Sequence, residues 1–166
     1  MAGSYGSYRF HALSAHPQVR DVSVDSPTPG QVRITVLARD GSGEAPPEVL
    51  AAVTDALTAQ DVRPLSDTVA VVSAAIVPFA VEAVLHIYPG PAAAPVLDAA
   101  LAALQSYVQS AKTIGHDITR SAIYAALHQP SVHRVDLLSP AADVTIAAGQ
   151  AAFCTGVDVT LGGHDV

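Results

Sequence analysis

Seven histidines and one cysteine are the side chains with most to offer as metal ligands or nucleophiles, and their spacing decides what they can do. His11 and His16 stand five apart, His128 and His133 straddle Pro130, and His116 adjoins Asp117. None of these forms the i, i+4 pair or the His-Glu-x-x-His helix that aims two imidazoles at one zinc ion, so the sequence nominates no metal site. Cys154 lies in Ala-Ala-Phe-Cys-Thr-Gly with no helix N-terminus ahead of it to lower its pKa, and reads as a small strand residue, not a nucleophile. Being alone, it also excludes an internal disulfide. Asp40-Gly-Ser-Gly-Glu-Ala-Pro-Pro47 places two glycines ahead of a helix, yet it carries Glu44 where an anion would sit and has no Gly-Lys-Ser/Thr. The acidic residues are dispersed, and the chain has no Asn, which an acylphosphatase-like site would need. No catalytic residue and no cofactor site is therefore nominated. Arg63 and Asp67, four residues apart across a turn stiffened by Pro64, are suited to pairing and to a structural or interface role.

Composition narrows the classes further. At 166 residues the chain is long enough to bury roughly 70% of its unfolded surface. The apolar fraction of 50% against 14% charged residues excludes global disorder. Ala and Val supply most of that apolar content, which favours flat packing over deep aromatic pockets. A net charge of −7, with the basic residues scattered, argues against nucleic-acid binding. The most apolar run, Val69 to Val81, is far short of the roughly 20 residues a membrane helix needs. No basic segment followed by an apolar run opens the chain, so synthesis inside the cell is the expectation.

The elements that must position any site follow from periodicity. Tyr8 to Ala15 is helical in pattern. Val19, Val22 and Val24, the Ser26-Pro-Thr-Pro-Gly30 cluster, and Val32, Ile34 and Val36 predict a hairpin with one buried face. Pro46-Pro47-Glu48 opens a helix with Leu50, Val53 and Leu57 on one stripe. A second hairpin is expected over Val69 to Tyr88, reversing near Val77-Pro78. Its return strand alternates, with Phe79, Val81, Ala83, Leu85 and Ile87 on one face and Glu82, Val84, His86 and Tyr88 on the other. Leu97, Leu101, Leu104, Val108 and Ala111 mark a long helix stopped by Gly115, and Asp117 is placed to cap another from Ile118 to His128. Strand patterns follow over Val132–Leu138, Val144–Ala148 and Val157–Leu161. The fold class is α+β, with hairpins alternating with amphipathic helices. The expected division is an N-terminal linker and short helix over 1–18, a hairpin-helix-hairpin module over 19–91, and a helical pair with a C-terminal β region over 92–166.

Shifting the numbering by 113 exposes an internal repeat. Pro17-Gln-Val-Arg-Asp-Val-Ser-Val-Asp-Ser-Pro27 lies over Pro130-Ser-Val-His-Arg-Val-Asp-Leu-Leu-Ser-Pro140, giving Pro-x-Val-x-x-Val-x-Val/Leu-x-Ser-Pro in both. Each copy follows a short helix, so one helix-to-strand unit is used twice.

Gly6 to Gly30, Asp61-Val-Arg-Pro-Leu-Ser-Asp67, Ile114-Gly-His-Asp-Ile-Thr-Arg-Ser-Ala-Ile123 and Leu137-Leu-Ser-Pro140 together resemble, in order, the C-terminal portion of the phage baseplate assembly protein J family of contractile-tailed phages and tail-like particles. The resemblance runs from about Gly6 to Leu161. It implies a structural protein of the baseplate wedge in the virion tail, present in the bacterial cytoplasm during assembly. The implied partners are other wedge and hub proteins and further copies of itself. No catalytic residue, cofactor, nucleic acid or membrane carries over, and the chain is expected to be an edge of a longer protein. Arg63, Asp67, Glu82, Val84, His86 and Tyr88 are the candidate interface residues. A competing reading is a small ligand-binding or catalytic domain that uses His86 or His116.

Overall fold

The structure is a computed structural model that describes residues 4–59, 67–90 and 92–164. Its described residues form an α+β fold in two compact units. The first comprises Met1–Ile76 together with two short later segments, Thr113–Gly115 and Ala147–Ala151. It holds α1 (Tyr5–Ser14), β1 (Val19–Asp25), β2 (Gln31–Ala38), α2 (Pro47–Thr58) and β3 (Thr68–Ser73), with strand order β1-β2-β3.

The β1–β2 hairpin forms as expected, in antiparallel register with Val22 opposite Val36 and Val24 opposite Ile34. Its turn uses Gly30 at φ 78°, a left-handed conformation that glycine adopts without a Cβ penalty. The Ser26 hydroxyl closes the turn by donating to the Gln31 carbonyl at 2.7 Å. Pro47 begins α2 with Glu48 in its first turn, and the buried stripe is Val49, Val53 and Leu57, with Leu50 at its margin. These residues pack with Tyr8 and Ala12 of α1 over Val22, Ile34 and Val36.

The expected second hairpin is not formed. β3 instead lies parallel to β2, with Val32 opposite Val69 and Val36 opposite Ser73. α2 makes the crossover that a parallel pair requires. The chain leaves the first sheet at Ala74, whose N–H still reaches the Val36 carbonyl at 2.8 Å, and Pro78 falls inside the next strand instead of at a reversal. A continuous apolar run such as Val69–Val81 carries no periodicity to mark that boundary.

The outer face of this first sheet is closed at one end by the later segments. Leu37, Ala74 and Ala151 are buried there with Ile76 and Ile114 against them. Asp21 fixes this arrangement through three donors. Its Oδ2 accepts from the Ile114 N–H at 3.0 Å, and its Oδ1 accepts from the Val22 N–H at 2.9 Å and from Arg9 Nη2 at 3.0 Å.

The second unit comprises Val77–Lys112, His116–Ile146 and Ala152–Val166. Its elements are β4 (Ala75–Ile87), α3 (Ala93–Ala111), α4 (Arg120–Leu127), β5 (Val132–Ser139) and β6 (Gln150–His164), with strand order β5-β4-β6. Val81, Ala83, Leu85 and Ile87 face Ala100 and Leu104 of α3 and Ile123 and Leu127 of α4. The buried line of α3 is Val96, Ala100, Leu104 and Ala111, so it is rotated from the expected leucine stripe, and Leu97, Leu101 and Val108 sit at its margin. Small Ala100 lets the helix axis approach the sheet. Thr119, not Asp117, caps α4 by accepting from the Ala122 N–H, while Asp117 accepts from the Ile146 N–H at 2.7 Å. Residues 144–148 contribute only an isolated bridge, Ile118 to Val144, where a strand was expected. Among the described residues, no helix is long and apolar enough to cross a membrane.

The repeat has a common geometry. In both copies the residue ahead of the proline accepts from the first valine N–H, His16 from Val19 at 3.1 Å and Gln129 from Val132 at 3.0 Å. Val19 faces Ala38 while Asp21 faces Leu37, leaving Arg20 as the extra residue of a bulge. Val132 faces Ile87 while Arg134 faces His86, leaving His133 as the extra residue at the equivalent position. The bulge turns a spacing of three into two inward valines, which explains why Val19 with Val22, and Val132 with Val135, are all buried.

Asp21→Ala removes the acceptor of three donors at a largely buried point, and is expected to cost about 1–3 kcal/mol. Urea denaturation should show a lowered midpoint at unchanged slope.

Candidate interface

In each unit the helices cover one sheet face, and in the second unit the opposite face carries four of the nominated residues. Inward Val81, Ala83, Leu85 and Ile87 force Glu82, Val84, His86 and Tyr88 outward by the two-residue strand period. Glu82 and Tyr88 are exposed, and Val84 and His86 are half-buried. β5 brings Asp136 opposite Val84 and Arg134 opposite His86. His86 Nε2 lies 2.9 Å from Asp136 Oδ2 and 3.1 Å from Arg134 Nη2, and Arg134 Nε is 3.3 Å from Asp136 Oδ1. The Tyr88 ring meets His133, the bulge residue, edge-on at 4.9 Å between centroids.

On the other side of β4, Gly162 of β6 makes room for this row. A Cβ at that position would stand 2.7 Å from Val84 Cγ1 and 2.7 Å from His86 Cε1, closer than packed carbons approach. The face therefore combines apolar surface from Val84 and Tyr88 with charges of both signs from Glu82, Arg134 and Asp136. The ion pairs are more than two-fifths exposed on the Arg134 and Asp136 side, where solvent screens them, so they contribute order and specificity more than stability.

Other nominated residues lie elsewhere. Arg63 falls outside the described residues, and with it the expected pairing to Asp67. Asp67 Oδ2 accepts from the hydroxyl of buried Tyr8 at 2.9 Å. His116 is exposed. Among the described residues, no three His, Cys, Asp or Glu side chains converge in a way that would hold a metal ion. Cys154 is half-buried, and its thiol donates to the Gly156 carbonyl at 3.3 Å. Burial pushes its pKa up, with backbone hydrogen bonds opposing, so the nucleophilic thiolate is disfavoured. A recess of about 610 Å³ in the first unit is lined by Tyr5, Arg9, Asp21, Val24 and Ile114, but its Arg9 and Asp21 are engaged with each other and with the backbone of Val22 and Ile114.

Asp136, Arg134 and Gly162 were not singled out from sequence. Val-x-x-Val in the repeat was the available signal for the first two, since only a bulge buries both valines, and that bulge sets which β5 residues stand beside His86.

Two family models cover most of the chain. A Baseplate J-like central domain matches residues 1–73, and a Baseplate J-like protein C-terminal domain matches residues 79–160. Baseplate protein J of Escherichia phage P2 is 47% identical over 165 residues, covering 99% of this chain and 55% of that protein. The chain thus spans about half the length of this relative. A chain of the anti-feeding prophage baseplate, solved by cryo-EM with six-fold symmetrisation, shares the fold with a TM-score of 0.60 at 12% identity, over 93% of this chain and 37% of that one.

Gly162→Ala should destabilise the second unit by about 1–3 kcal/mol through overpacking. Adding Val84→Ala removes one of the two clashing groups, so a double-mutant cycle should show recovery of part of that loss. Iodoacetamide should label Cys154 in the native chain at pH 7 several-fold more slowly than in urea; equal rates would show a thiolate that the fold does not suppress.

Proposed function

This chain belongs to the baseplate J-like family, and from that membership we propose that it is a structural component of a contractile-tail baseplate wedge, acting by protein–protein contact during tail assembly. The observation that carries the proposal is the 47% identity to a baseplate protein J over 99% of the chain. Its place is the virion tail baseplate, reached from the bacterial cytoplasm, and its partners are other wedge and hub proteins and further copies of itself.

The chemistry of the surface supports a scaffold rather than a catalyst. Stable interfaces bury about 1,200–2,000 Å² in all, so a contact of that kind draws on a broad surface rather than a small pocket. Glu82, Val84, His86 and Tyr88, with Arg134 and Asp136 beside them, offer apolar anchors ringed by charges, the composition that gives contact with register. The segment from Arg63 to Asp67 is assigned a second contact. A catalytic use of His86 finds less support, because its Nε2 is already held between Asp136 and Arg134.

Val84→Lys puts a cation into the centre of the row, and Glu82→Lys reverses a charge at its exposed end. Both should reduce incorporation into tails at least tenfold. Exposed substitutions shift stability by only about 0.5 kcal/mol, so the Glu82→Lys chain should melt like the parent. Electron microscopy of tails complemented with each variant provides the readout, and normal baseplates from both would refute the assignment of this face.

A further inference from the structure

β6 adds a third column to the outward face of the second sheet. Val159 enters the core, so Asp158 and Thr160 turn outward together with Gly162, whose missing Cβ would meet Val84 and His86. β4 and β6 are neighbours and ascend together. The Thr155 hydroxyl donates to the Phe79 carbonyl at 3.1 Å, and further on Gly162 stands beside Val84 and His86. Asp158 lies between those two points and falls beside Glu82. Both carboxylates are exposed.

Two carboxylates side by side on neighbouring strands repel, whereas an opposite charge across the pair would stabilise it. Among the described residues, neither Glu82 nor Asp158 has an ion-pair partner or a side-chain hydrogen bond. The guanidinium of this face, Arg134, lies further along β5, where Asp136 and His86 hold it. Among the described residues the face therefore sets carboxylates at Glu82, Asp136 and Asp158 against one guanidinium. At its other end the Tyr88 side chain is 48% exposed.

We propose that this face docks a basic surface of a different protein, whose lysine or arginine side chains settle between Glu82 and Asp158 while an apolar part of the same surface covers Tyr88, about 20 Å along the strand. This proposal rests on the face being an assembly contact, and it names the chemistry of the occupant. Charge complementarity selects that occupant. A second copy would bring the same excess of carboxylates, and its Arg134 is committed within its own chain. Phosphate backbones and anionic headgroups are repelled by the same field. A long basic side chain lays its methylenes along Val84 while its charge reaches the two carboxylates, so the contact needs no pocket.

Glu82→Gln together with Asp158→Asn keeps the size of both side chains and removes both charges. Incorporation of this chain into tails should fall by about tenfold or more. Its melting temperature should be no lower than the parent's, because a like-charge pair has been relieved; a lower one would show that the pair serves the fold and would count against the proposal. Glu82→Asp with Asp158→Glu exchanges the two side chains and keeps both charges, and should incorporate like the parent. Equal loss in the two pairs would refute the charge argument. Val84→Lys keeps the two readings apart. If it is excluded from tails while the neutral pair enters normally, the face is an interface but its occupant is not basic; if both enter normally, the interface itself is lost. In sedimentation the purified parent and the neutral pair should behave alike, and a parental dimer that the neutral pair abolishes would give the face to a second copy and overturn the proposal.

Discussion

A three-stranded sheet has two faces and two edges, and one or two helices packed on the same side cover only one of those faces. Everything distinctive in this protein follows from how the remaining surfaces are handled. In the first unit the open face is partly closed by Ile114 and Ala151 from later in the chain, anchored through Asp21. In the second it is left as a row of Glu82, Val84, His86 and Tyr88, knit to Arg134 and Asp136 and given room by Gly162. Burial of small residues holds the inner faces, at about 0.8 kcal/mol per buried methylene. With Ala and Val dominating, no single side chain carries the core, and the sheets depend on register to bring enough of them together.

That dependence explains which parts of the fold were legible in the sequence. The β1–β2 hairpin and the outward face of β4 could be read directly, because alternation and turn chemistry act within ten residues or so. The helix-to-strand repeat was also visible, since Pro-x-Val-x-x-Val recurs in order. Its consequence was not, because a bulge at Arg20 and again at His133 is a property of two strands together. The parallel placement of β3 escaped for the same reason: Thr68–Ser73 has an apolar composition that fits either neighbour, and α2 decides between them.

The candidate interface was half legible. Strand parity placed His86 outward, but its partners Asp136 and Arg134 come from a strand some 50 residues away, and Gly162 from another about 76 away. Asp117 looked like a helix cap and Thr119 took the role, since the capping oxygen must lie immediately before the first turn. The contacts that Arg9 of α1 and Arg120 of α4 make to the carbonyls of Val22 and Leu137 had no local signature at all. Arg9 and Arg120 look like ordinary surface cations until the sheets are assembled.

The first unit takes its last residues from Ala147–Ala151, although its final strand ends at Ser73. On the ribosome, Leu37 and Ala74 therefore wait for Ala151 while 75 further residues are added after Ile76. At roughly 5–20 residues per second this is a delay of about 4–15 s. Throughout that interval part of an apolar sheet face stays uncovered, so closure of the first unit waits on a segment that sequence order places last.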